Sequence, residues 1–143
     1  MMAEVSDLFF ADIEEFMKTL KIISFTEYDL WNKIEISAYT KREILNELKE
    51  MNYLIEELNK IFISIVNKAQ RYKLRDRNLF NYLNYINNYI EKLKLTGQIM
   101  EVAYQRDPNY GIRSLSRDLN IIRKYTDLIK KEINKGIYNR LFV

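Results

Sequence analysis

From Ile44 to Tyr72 the chain places an apolar residue at every third or fourth position: Ile44, Leu48, Met51, Ile55, Leu58, Phe62, Ile65, Ala69 and Tyr72. Steps of four and three alternate without a miss over four heptads, so this stretch has one continuous helical face that must be buried. Its start is written locally. Thr40 is a candidate N-cap with Glu43 three residues on, and Tyr39 can pack on Ile44 as a hydrophobic staple. A helix from about Lys41 to Asp76 would be roughly 54 Å long, either the spine of a bundle or an overhang.

The pattern repeats downstream at Leu79, Leu83, Ile86, Ile90 and Leu93, passes through Gly97, which either breaks the helix or thins it, and continues to Met100 and Tyr104. Asp107-Pro108-Asn109 marks a turn between Gln105 and Gly111. After it, Leu115, Leu119, Ile122, Ile129 and Ile133 keep helical spacing with Thr126 at the missing step, until Gly136 offers a C-terminal cap. Upstream, Phe9, Ile13, Phe16, Met17 and Leu20 define a helix that Ser6 can cap. Thr26 can cap a shorter one carrying Leu30, Trp31 and Ile34. No run alternates with period two, so the fold class expected is all-α. Short connections make it an up-and-down antiparallel bundle of four to five helices with one long central helix, about 41–76. At 143 residues, 1–143 is expected to form a single domain.

Composition removes most enzyme chemistry. There is no Cys, no His, three Gly and one Pro, hence no thiolate, imidazole base, Cys/His zinc site or glycine-rich phosphate loop. The chemistry that survives is a carboxylate-held Mg²⁺. Glu47 with Glu50, Asp12 with Glu15, and Glu4 with Asp7 have the spacing for it, yet in a chain with 20 acids such spacings arise by chance. The chain is therefore read as a non-enzymatic protein without cofactor or metal. Its N-terminus is acidic and no apolar stretch approaches ~20 residues, so no membrane span and a cytoplasmic location are expected.

Charge is more informative. Residues 1–66 hold 13 acids and 7 bases, net −6, whereas residues 67–143 hold 7 acids and 16 bases, net +9. Such asymmetry hints at a polyanionic partner. In an antiparallel bundle the second and last helices end at the same pole. Lys68, Arg71, Lys73, Arg75 and Arg77 should gather there with Lys130, Lys131, Lys135 and Arg140. Arg113, Arg117, Lys124, Lys131 and Lys135 form a second stripe about 200° from the apolar seam, facing away from the core. Cations near helix C-termini are also favoured by the helix dipole, and charged stripes are often plain solvated faces. The partner expected is nucleic acid or an acidic protein surface such as RNA polymerase. Asn78 to Ile90 carries no charge and places Tyr82, Tyr85 and Tyr89 on one flank. These rings are candidates for base stacking or a self-association face, or else the edge of a wide buried face.

Ile, Asn, Lys and Tyr supply 58 residues against five Ala. With the Ile44–Tyr72 heptads and the absence of His and Cys, this composition resembles that of small helical-bundle proteins of viruses from thermoacidophilic archaea. The resemblance spans the whole chain in style and assigns no residue a role. It implies either a virion component or an inhibitor that binds host RNA polymerase. The function expected is a viral regulator whose basic pole engages nucleic acid or the transcription machinery, in the host cytoplasm. The alternative is a structural assembly protein of the virion that forms homo-oligomers through the Tyr/Asn face.

Overall fold

The computed structural model describes residues 2–36, 39–71 and 76–134, and side chains only within 7–133 of these. Among these residues four α-helices follow one another: α1 Met2–Ile36, α2 Lys41–Arg71, α3 Arg77–Ala103 and α4 Ile112–Asn134. Each packs on two neighbours, α1 on α2 and α4, and α3 on α2 and α4, so the antiparallel helices close a ring. Their seams meet in one core. Phe9, Ile13, Phe16, Leu20, Ile23, Leu30 and Ile34 come from α1; Ile44 to Ala69 from α2; Leu79 to Met100 from α3; and Ile112 to Ile133 from α4. Among the described residues there is no strand, and no helix is long and apolar enough to cross a membrane.

Local chemistry sets the ends. Thr40 Oγ1 accepts from the Glu43 amide at 3.2 Å, opening α2. Asp76, which the heptad reading placed at the end of the long helix, instead caps the next one. Its backbone is extended and its carboxylate accepts from the amides of Asn78 and Leu79. An acid there satisfies two orphan donors of α3, so α2 does not run through it. In the turn before α4, Asp107 accepts from the Asn109 amide and Gly111 takes φ +79°. Tyr72 and Gly136 lie outside the described residues.

Two expectations at the N-terminus are corrected. The pair of helices is a single helix of 35 residues, longer than α2, and Ser6 lies inside it. Thr26 is not a cap: its hydroxyl donates to the Ile22 carbonyl, as Ser24 donates to Leu20, and both sit mid-helix. Such back-bonding lets hydroxyl residues continue a helix where they would otherwise start one.

Nor does Gly97 break α3. It is a point of close approach between α2 and α3: a Cβ at Gly97 would lie 2.0 Å from Asn52 Oδ1. The Asn52 amide donates to the Gly97 carbonyl at 3.0 Å and to Glu101 Oε2 at 2.8 Å. Gly97→Ala would bring about 1 kcal/mol of helix propensity. It would also displace Asn52 from two bonds, one of them charge-assisted and worth about 1.5–3 kcal/mol. The expected net loss is about 1 kcal/mol by urea denaturation. In an Asn52→Ala background the next contact is Ile55 Cδ1 at 3.6 Å, an ordinary one. There the same substitution should stabilise.

Candidate functional site: a cationic groove between α1 and α4

The antiparallel ring divides the expected basic residues between two ends. Lys68, Arg71 and Arg77 lie at the pole shared by the end of α2 and the start of α3, with Lys130 and Lys131 on the last turns of α4. Arg113 and Arg117 open α4 and therefore lie at the other pole. Lys124 is between them. Lys73, Arg75, Lys135 and Arg140 lie outside the described residues. Among the described residues the expected pole thus holds Lys68, Arg71, Arg77, Lys130 and Lys131, and the stripe on α4 runs from it to the opposite end.

Part of that charge is also engaged. Lys68 reaches Asp12 at 2.5 Å and Ser64 at 3.0 Å, and Lys130 reaches Glu14 at 3.1 Å. The acids come from α1, whose N-terminal half lies beside the ends of α2 and α4. Folding sets the acidic first half of the chain against the basic second half. Of the candidate metal carboxylates, Asp12 is taken up in the Lys68 pair and Glu47 in a pair with Lys33, which also reaches Asp29, while Asp7, Glu15 and Glu50 stay exposed.

Of the expected cations, Arg71 and Arg77 stay exposed at the first pole, and the other exposed ones follow α4. Arg113, Arg117, Arg123, Lys124 and Lys131 are all exposed. Arg123 bonds to Asn120, and Arg117 Nε lies 3.8 Å from Asp118. From Arg113 to Lys131 this row is roughly 27 Å long at 1.5 Å per residue. It borders two grooves where α4 meets α1. One, of ≈ 640 Å³, runs past Glu14, Met17, Lys18, Lys21, Phe25, Tyr28, Arg123 and Asp127. The other, of ≈ 620 Å³, is walled by Glu27 and Trp31 on α1 and by Arg113, Ser116, Arg117, Asn120, Ile121 and Lys124 on α4.

Glu27 accounts for part of this opening. The α1 seam steps Leu20, Ile23, Glu27, Leu30, Ile34, so a carboxylate occupies a place that an apolar residue would fill. A charge resists being sealed in, and the two helices remain apart there. Burial pushes the Glu27 carboxyl above its usual value. Neither Glu27 nor the exposed Trp31 was read as a surface feature from sequence. Glu27 becomes visible as a seam residue once α1 is taken as one helix.

The Tyr flank is largely used inside the bundle. Tyr82 and Tyr89 are half-buried against the core. Tyr82 and Tyr85 pack on Tyr125 of α4, with centroids at 6.0 and 5.0 Å, and the Lys92 ammonium sits 4.7 Å above Tyr89. On α4, Asp118 is only 2% exposed, and its Oδ1 has no hydrogen-bond partner. Burial raises the Asp118 carboxyl, against the attraction of Arg117 and Lys92. Burial likewise raises Glu47, opposed by Lys33 and reinforced by Asp29.

Three carboxyls therefore hold a proton more tightly folded than unfolded. Stability should rise as pH falls from neutrality toward about 4.5, the folded state taking up protons that the unfolded chain does not. Asp29, lowered first by its bond to Glu47, acts oppositely but only below about 3.8. A higher Tm at pH 5 than at pH 7.5 is expected by calorimetry, with the difference reduced in Asp118→Asn. A Tm that falls across this window would contradict it.

These features define a class: a closed, up-and-down four-helix bundle with a cation-lined groove on one seam. The chain matches no protein-family model, no curated protein and no solved structure.

Proposed function

We propose that this chain is a non-enzymatic binding protein that engages nucleic acid, or the machinery that handles it, through the cationic face of α4. One observation carries the reading. Among the described residues, Arg113, Lys124 and Lys131 stand exposed along one helix with no carboxylate in ion-pairing reach, while Lys33, Lys68 and Lys130 are paired. A row of unpaired cations attracts a polyanion by releasing its condensed counterions. The resemblance in composition and heptad style supports a viral regulator of transcription, with inhibition of RNA polymerase as one mode.

Binding of a labelled oligonucleotide, followed by anisotropy from 50 to 300 mM salt, tests the reading. Affinity should fall steeply, with a log–log slope of about −3 or steeper. A flat response would sink it. The second reading, a virion assembly component, is favoured by a different surface from the Tyr flank. Leu95, Ile99 and Val102 follow one another on exposed turns of α3, Val102 at 84%. It requires oligomers by light scattering that dissociate in Leu95→Lys.

A further inference from the structure

Trp31 is an unusual residue to leave at a groove wall. It is the only Trp in the chain, is 43% exposed, and has no hydrogen bond or ring partner among the described residues. Across the groove stand Arg113, Arg117 and Lys124, about 6 and 10 Å apart along the axis of α4. An aromatic face opposite a line of cations is the pairing by which unstacked bases and their phosphates are held together.

We propose, building on the reading of α4 as a nucleic-acid face, that this groove takes a single strand, with a base stacked on the Trp31 indole and adjoining phosphates on Arg113, Arg117 and Lys124. A duplex would meet the cations only, because its bases are stacked on one another and present no free face to an indole. The groove, at ≈ 620 Å³, is within the range that encloses small ligands and suits a nucleotide unit rather than a double helix. Three cations outweigh Glu27, the one acid in its lining, and the half-buried carboxyl lies a helical turn from Trp31.

Because Trp31 is the sole indole, binding has its own reporter. The full chain is titrated with a labelled oligo-dT, reading label anisotropy and Trp emission together, and then with a duplex of the same length. Emission should be quenched by the single strand with the midpoint seen in anisotropy, and the duplex should leave it unchanged. Trp31→Ala should lose about tenfold or more in affinity for the single strand, and Trp31→Phe, which keeps an aromatic face, should retain most of it. Far-UV circular dichroism identifies any variant that fails to fold, and the emission arm needs no variant.

Single-strand binding without a change in emission, or undiminished in Trp31→Ala, overturns the stacking proposal and leaves the cationic reading standing. Binding of the duplex alone does the same. If neither nucleic acid binds, the function proposed for α4 fails as well.

Discussion

Arg117, Lys124 and Lys131 changed together to Glu are expected to weaken nucleic-acid binding on the order of a hundredfold or more near 0.1 M salt, with helix content unchanged. On a single strand each phosphate neutralised contributes about 0.7 to the slope of log affinity against log salt, so three lost contacts remove about 2 decades at that concentration. Repulsion from the new carboxylates adds to this. The three side chains are exposed on the outer surface of α4, away from Leu115, Leu119, Ile122 and Ile129, so the apolar core is untouched. Arg117→Glu also takes a cation from beside the buried Asp118, a local cost that leaves the helix in place. Single reversals should each lower the slope by about 0.7 and weaken all sequences alike. A triple variant that binds within a few-fold of the parent would place the contact elsewhere.

The largest stability effect is expected at Phe62. Its ring and that of Phe16 meet with centroids 6.0 Å apart and planes at 50°, both at most 2% exposed, where α1 packs on α2. Phe62→Ala removes the transfer energy of a whole ring and leaves a cavity that rigid helices cannot close, a loss of about 3–5 kcal/mol. Domains of this size are stable by about 5–15 kcal/mol, so the variant should be near the limit of folding at 37 °C. Phe62→Leu, which refills most of the space, should lose less than half as much. Urea denaturation monitored by circular dichroism measures both. Equal losses for Ala and Leu would mean that ring geometry, rather than volume, governs the site.

The seams of α2, α3 and α4, the Thr40 cap and the Asp107 turn were legible because each depends on neighbours within a few residues. Where the reading failed, a distant helix decided. Thr26 has the chemistry of a cap, but Leu20, Ile23, Leu30 and Ile34 bury one continuous face, and packing holds the helix through the hydroxyl. Trp31 follows Leu30 by one step, about 100° round the helix, which moves a large apolar ring from the core to a groove. Charge was only partly legible, for a topological reason. Segregation along the chain is not segregation in space when antiparallel packing lays the acidic half beside the basic half, as Asp12 with Lys68 and Glu14 with Lys130 show. The longest exposed row of the expected cations that survives folding is the outer side of α4, from Arg113 to Lys131.

The Asn52–Gly97 contact has a consequence for how the bundle finds its alignment. Seams built of Ile and Leu at heptad spacing are nearly indifferent to sliding by seven residues, about 10 Å along the axis. Such a slip would set Asn52 against Ile90 or Tyr104, where a bulky side chain occupies the space that glycine leaves open and the amide loses both of its acceptors. One polar side chain meeting one missing methyl thus adds a specific preference for a single register of α2 on α3, beyond what the apolar seams and the short connection between Arg71 and Arg77 impose.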